Sequence, residues 1–364
     1  MKPRLRIFIL SVFLVCSTLL RWNAQAEVKV IETDSTYIIG DNDSKVDARR
    51  IATQEAKRKA LELAGTFVAS LTDVKNYQLS IDEVKMYTAG VLETEIVSEQ
   101  MRGTTEHPEI YIKARCKIDT NVLMAQIDRY RENEDLKDQL GAFAKENDDL
   151  KKERDALVKQ LAAEKDKKQA EDTRSKLDAV LSKEESNDDT HKVWVNIGPQ
   201  LIELDENNPD IGQNDLDRSA AMLQKAIAAN PQNQRARFLL ASIYQRQGNN
   251  AAAESEIRTA LQYHPANPSL HLRLGVLLRA QGKYDMALDE FHFVERVRPH
   301  NPLMLFNTGM TYKDMGHCGK SAPYLKRFLR EPQSRKFPKR REKAVQVLRE
   351  CGERPGHIRR LGQR

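Results

Sequence analysis

Two glycines seven residues apart, Gly275 and Gly282, lie in the stretch LRLGVLLRAQGKYDMALDEF, residues 272–291. Such a pair can cradle a phosphate when a strand precedes it and a Lys-Ser or Lys-Thr follows, because the loop amides then converge on the anion. Neither flank is present, and apolar residues at helical spacing predict two helices and the turn between them. The acidic turn DNDSK, residues 41–45, is read as a helix start, with Ser44 capping against Asp47, in preference to a calcium loop. His317 stands beside Cys318 without further ligands at a workable metal spacing, and the eight histidines are scattered. No Ser-His-Asp or paired-carboxylate arrangement is legible. The expectation is therefore no catalytic residue, no metal and no cofactor.

The two glycines belong to a longer pattern. Ala241, Gly275 and Gly309 are 34 residues apart, as are Gly248, Gly282 and Gly316, then Tyr244, Leu278 and Tyr312, and Ala253, Ala287 and Ser321. Pro231, Pro265 and Pro299 keep the period, and Pro332 misses it by one. Each type has a mechanical reason to recur. A small residue lets paired helices approach, a glycine closes the turn between them, alanine keeps the second helix thin, and proline ends it. The pattern resembles the tetratricopeptide repeat (TPR). Full repeats start near Gln234, Pro268 and Pro302. Before them LDRSAAMLQKAIAANPQN reads as the second helix of an earlier repeat whose first helix, near LIELDENNPDIGQ, is degraded, so the repeats are assigned to 215–333. A capping helix, KRREKAVQVLREC, and a basic tail fill 334–364, since a solenoid end needs a polar outer face.

The resemblance implies a concave groove lined by the first helix of each repeat. Its ligand-facing positions fall on Arg235, Phe238, Ser242, Gln245 and Arg246 in the first repeat. In the second they are Ser269, Leu272, Val276, Arg279 and Ala280, and in the third Leu303, Phe306, Met310, Lys313 and Asp314. This mix of apolar and cationic groups suits a peptide or helix with acidic ends. The Lys and Asn pattern that some relatives use to clamp a terminal carboxylate does not match, although Asn307 sits at one of its places.

Upstream, residues 27–120 read as a compact α+β domain. Strand-like VKVIETDSTYIIG leads into a helix from about Val46 to Phe67 carrying Ala48, Ala52, Ala56, Ala60 and Ala64, a ridge of small residues suited to close packing on a sheet. Ser80 and Glu83 form a capping box before a short helix, and VLETEIVSEQM with EIYIKARCKID reads as a hairpin pair of strands. On the strand TYIIGD, the helix DARRIATQEAKRKALELAG and the closing strand pair, this segment resembles the N-terminal domain of the bacterial flagellar-assembly T protein, which implies a non-catalytic module of envelope assemblies.

Residues 121–185 carry a heptad frame, with Leu136, Phe143, Leu150 and Leu157 at d and Leu140, Asn147, Arg154 and Leu161 at a. That predicts a long coiled-coil helix of roughly 100 Å that spaces and oligomerises the chain as a dimer or trimer. Residues 186–214 are taken as a linker with the degraded helix, and the polar run SKEESNDDTHK, 182–192, as its flexible joint. The fold class expected is multidomain: an N-terminal α+β domain, a long coiled-coil helix and a C-terminal all-α solenoid.

Basic residues Lys2, Arg4 and Arg6, an apolar run from Ile7 to Leu20 and Ala24-Gln25-Ala26 predict a signal peptide cut after Ala26, hence a periplasmic or cell-envelope location. An uncleaved anchor is the rival reading. In an oxidising compartment Cys318 and Cys351 can bridge the third repeat to the cap, unless adjacent repeats hold the thiols too far apart. Cys116 alternates onto the apolar side of its strand, where a thiol is inert. From Lys326 to Arg364 there are 14 Lys or Arg against 4 Asp or Glu, so the tail suits an acidic lipid or acidic protein; export and the lack of interleaved aromatics argue against nucleic acid. With 31% charged and 6% aromatic residues the chain reads as an elongated scaffold that binds protein partners in envelope assembly, flagellar or secretory. The order of signal, coiled coil and repeats also resembles the periplasmic coordinator of the Tol–Pal machinery, so envelope maintenance or division is the alternative, and a structural envelope protein a third.

Overall fold

The computed structural model describes residues 28–74, 79–120, 123–125, 127–128, 134–202 and 211–353. The leader expected at residues 1–26 and the last part of the basic tail, 354–364, lie outside these. Strands β1 (Val28–Ile38), β2 (Thr94–Gly103) and β3 (Pro108–Asp119) form an antiparallel sheet in the order β1-β3-β2. The helices α1 (Lys45–Val74) and α2 (Ile81–Val91) accompany it. Ala48, Ala52, Ala56, Ala60 and Ala64 are all buried, because methyl-sized side chains let α1 lie close on Ile110, Ile112, Ala114, Cys116 and Ile118 of β3. Burial lifts the Cys116 thiol to about 11, which keeps it protonated and unreactive. Both caps form: Ser44 Oγ accepts from the Asp47 amide at 3.0 Å, and Ser80 and Glu83 make a reciprocal capping box.

The long helical segment does not run as a rod. Helix α3 (Glu134–Ala163) turns at Glu164–Asp166 and returns as α4 (Lys167–Ile202). The heptad residues therefore face their own chain. Leu150, Leu157 and Leu161 pack with Leu177, Val180 and Leu181 of α4 and with Ile51 of α1. At the polar a positions, Asn147 accepts a hydrogen bond from Asn187 at 2.8 Å, and the buried Arg154 holds Glu184 at 3.0 Å. A heptad frame records only that a helix has an apolar seam, and here the partner is the returning arm. The predicted 100 Å spacer is corrected accordingly, and the seam is unavailable for oligomerisation.

The sheet domain is clamped onto this hairpin. Arg50 of α1 bridges Glu185 at 2.6 Å and Asp178 at 2.5 Å on α4, and Gln54 donates to Asp188 at 3.1 Å. Asn42, in the turn once weighed as a calcium loop, donates to the carbonyls of Leu161 and Glu164, both at 3.0 Å, and so caps the end of α3.

Residues 182–192, expected as a joint, are interior helix. Their polarity is matched inside the protein: Asn233 Nδ2 lies 3.0 Å from Ser186 Oγ, 3.2 Å from Asn187 Oδ1 and 3.0 Å from Thr190 Oγ1, and Ser186 donates to the Ala226 carbonyl at 2.6 Å. The described helix that pairs with α5 (Gln213–Ala229) is thus the second half of α4, which takes in Leu201 and Ile202 of LIELDENNPDIGQ. Residues 203–210 of that stretch lie outside the described part.

Three helix pairs follow: α6 (Gln234–Arg246) with α7 (Asn250–Tyr263), α8 (Pro268–Ala280) with α9 (Tyr284–Val297), and α10 (Pro302–Asp314) with α11 (Cys318–Arg330). After a short 3-10 turn, α12 (Pro338–Glu350) closes the stack through Ala344, Val347 and Leu348. Cys318 and Cys351 are bonded, their Cα atoms 5.3 Å apart, which ties the start of α11 to the end of α12. One apolar core runs without a break from Ala48 to Leu348.

Two buried groups at the hairpin titrate in opposite senses. His191 donates Nε2–H to the Leu92 carbonyl at 2.7 Å, and burial lowers its pKa from 6.5 to about 4. Its contribution is complete above pH 6.5 and is lost as pH falls through about 4, because the unfolded chain then binds a proton that the folded one refuses. Burial lifts Glu184 from 4.5 to about 7 against the pull of Arg154, so its contribution is lost as pH rises from 4.5 through 7. Each is worth up to about 3 kcal/mol. In urea melts between pH 4 and 7, His191→Gln is expected to lose stability relative to wild type as pH rises, and Glu184→Gln as pH falls. Parallel profiles for all three proteins would contradict this.

Candidate protein-binding groove

The groove is built by α6, α8 and α10, whose starts share a device the sequence reading passed over. Asn233, Asn267 and Asn301, one per repeat, cap them by accepting from Ala236, Ser269 and Met304 amides at 2.9 Å each. At the far ends Gly248, Gly282 and Gly316 take φ of 79°, 75° and 79°, the left-handed conformation that closes the turn to the second helix. Midway, a Cβ on Gly275 would lie 2.4 Å from the Phe291 ring, and one on Gly309 2.7 Å from Leu325. These glycines set the spacing of the pairs, and with it the curvature of the face their first helices present.

The predicted groove residues divide into two groups. Those at the start of the first repeat are covered by the protein itself. The Arg235 guanidinium lies 3.7 Å from the Trp194 ring of α4 and 4.4 Å from Phe143 of α3, an arrangement worth up to about 2 kcal/mol when desolvated. Phe238 is buried beneath Arg273, whose guanidinium is 5.0 Å above its ring, and Arg273 also donates to Ser242 Oγ and, at 3.3 Å, to the Leu201 carbonyl. Burial pulls Arg273 down to about 10. Ser269, Leu272, Phe306 and Met310 are also buried, Phe306 with its ring centre 5.3 Å from that of Phe328.

The second group remains accessible: most of it lies in the C-terminal halves of α6, α8 and α10, and Leu303 lies in the first turn of α10. Arg246, Ala280 and Asp314 are exposed, and Gln245, Val276, Arg279, Leu303 and Lys313 are half-buried. Arg279 grips Asp314 at 2.9–3.0 Å and approaches Asn307 at 3.5 Å, while Lys313 reaches Glu350 of the cap at 3.5 Å. Open apolar positions thus alternate with cations whose acidic partners can be exchanged. At the other end a shallow crevice runs between Ala142, Phe143 and Glu146 of α3 and Gln234, Arg235, Phe238, Asn267, Ser269 and Leu270. Burial raises the Glu146 pKa there.

Sequence reasoning missed Arg273, Trp194 and Phe143 as parts of this face. The 34-residue period aligns Arg273 with Leu239 and Asn307, so the position has no fixed type and the repeat pattern leaves no signal for its contact. Among the described residues no group of three or more His, Cys, Asp or Glu is placed to hold a metal.

Tetratricopeptide-repeat family models match residues 210–260 and 240–292. Residues 210–292 are tetratricopeptide repeats. The match covers the α5 helix that the period alone placed in an earlier, degraded repeat. No curated protein matches the sequence. Among solved structures, "Crystal structure of MamA" is 15% identical, covering 38% of this chain and 88% of that one at a TM-score of 0.32. "MamA MSR-1 C2" is 20% identical, covering 50% and 90%, and "Crystal structure of MamA protein" 17%, covering 46% and 90%, both with TM-scores of 0.32. Overlaps this shallow carry nothing from those proteins to this one.

The two kinds of glycine should respond differently to the same methyl group. Gly275→Ala drives a Cβ into Phe291 and is expected to cost about 3 kcal/mol, whereas Gly282→Ala has open space and pays only the left-handed backbone, about 1 kcal/mol. Thermal melts of the two variants check this; equal losses would show that the helix pair does not close on Gly275.

Proposed function

We propose that this chain is an exported, non-catalytic adaptor that holds a protein partner on the open part of its TPR face. The observation that carries the reading is the division of the groove. Repeats that bury Arg235, Phe238 and Ser242 still leave Gln245, Arg246, Val276, Arg279 and Lys313 accessible in a band along the C-terminal halves of their first helices, with Leu303 open at the start of α10. Apolar and cationic groups in that band suit an amphipathic segment bearing carboxylates, which would exchange with Asp314 and Glu350 for Arg279 and Lys313.

Export is supported by the bridge between Cys318 and Cys351, which persists in an oxidising compartment, and by the leader-like N-terminus. Detection of the chain in the cytoplasm with residues 1–26 attached would remove that part. The α+β domain, with its alanine-ridged helix on a closing strand pair, keeps flagellar or secretion-apparatus assembly as the preferred setting. The coordinator reading rested on the order of signal, coiled coil and repeats, and it is less favoured because the heptad seam packs within the chain.

Photo-crosslinking in cells tests the groove. A crosslinking amino acid at Val276 or Leu303 is expected to capture a discrete partner, and one at Phe238 only this chain. Capture from Phe238 but not from Val276 or Leu303 would overturn the assignment.

A further inference from the structure

The sheet ends in two edge strands, β1 and β2. Helix α1 packs chiefly over β1 and β3, leaving the inward side of β2 uncovered: Ile96 is 37% and Met101 53% exposed. Strand β2, TEIVSEQMRG, holds no proline and no lysine, the usual protections of a free edge.

Its register sorts the side chains. Thr94, Ile96, Glu99 and Met101 stand opposite Cys116, Ala114, Ile112 and Ile110, whose own side chains face α1. Glu95, Ser98, Gln100 and Arg102 stand opposite Arg115, Lys113, Tyr111 and Glu109 on the outward side, with a bulge between Ile96 and Ser98 resetting the alternation.

Turned about a two-fold axis through Glu99, this strand complements itself. Ile96 then faces the partner's Met101 on the inward side, and Glu95 faces the partner's Arg102 on the outward side. Both pairs occur twice, and each bulge sets Val97 and Ser98 against the partner's Gln100. Arg102 is suited to the exchange: its guanidinium lies 3.4 Å from the Tyr111 ring and 2.8 Å from Gln100 Oε1, with no carboxylate in ion-pair reach among the described residues. Glu95 is half-exposed and held loosely, 3.3 Å from Lys117 and 3.6 Å from Arg115. At the axis itself Glu99 is neutralised by Arg49 at 2.6 Å, so two copies can meet there. Strand β1 offers no such match, because Glu32 and Asp34 share one face and self-pairing would bring carboxylates together.

We propose that the chain forms a two-fold dimer by antiparallel pairing of β2 with β2 of a second copy. The two sheets then become one continuous sheet of six strands. The site is remote from the TPR groove and does not depend on the function proposed for it.

Sedimentation of the full-length chain across a concentration series tests this. Wild type is expected to dimerise, and Glu95→Arg or Arg102→Glu to weaken the dimer at least about tenfold, since each places like charges opposite one another twice. The double variant Glu95→Arg with Arg102→Glu is expected to restore it. Mild oxidation should crosslink Glu99→Cys into a covalent dimer and leave Glu95→Cys uncrosslinked. A monomer at all concentrations, a dimer indifferent to both single charge reversals, or failure of the double reversal to restore it would overturn the proposal. So would capture of a different strand at β2 in place of a second copy. All three positions are exposed, and circular dichroism of each variant confirms that it folds.

Discussion

One helix holds the molecule together. The second half of α4, from Ser186 to Leu201, packs at once against α5, against α6 and, through its hairpin partner, against the α+β domain. Its buried face is part polar and part aromatic. Ser186, Asn187 and Thr190 close on Asn233, while Trp194 lies under Arg235. Polar groups buried in this way must be fully matched, which fixes the register between α4 and the repeats more tightly than apolar packing alone. Because α4 is 36 residues long, its other half projects as an arm, and α3 returns along it to reach the concave face.

This single shared helix changes what the repeats can offer. A solenoid joined to its neighbour by a loose linker would present the whole concave face. Here the hairpin covers Arg235, Arg273 covers Phe238 and Ser242, and the open band shifts toward Arg246, Val276, Arg279 and Lys313. Domain, hairpin and repeats then share one core, so a partner held on the band is fixed in orientation relative to the sheet. A scaffold needs that property, and a chain of beads would lack it.

How much of this could be read from the sequence depends on how local the cause was. The 34-residue period, the turn glycines and the alanine ridge were legible, because each acts through backbone geometry or one neighbouring helix. The strand pair and both caps were legible for the same reason. The hairpin was not. A heptad seam at Leu140, Leu150 and Leu157 specifies an apolar stripe and is silent on whether another molecule or a returning arm covers it. Residues 182–192 misled because polarity reads as solvent exposure, when Asn233, forty or more positions away, was there to match it. The named groove positions all lie on the first helices of the repeats, yet their exposure depends on α3 and on Arg273, which no repeat pattern encodes.

The central claim is that α3 and α4 fold back on each other. Spin labels at Glu153 and Ala179, both exposed, measure it directly in doubly labelled protein diluted with unlabelled chain. The folded-back arrangement predicts a separation under about 20 Å, whereas a continuous helix would place the same residues roughly 39 Å apart at about 1.5 Å per residue. A distance distribution centred on the longer value would contradict the account.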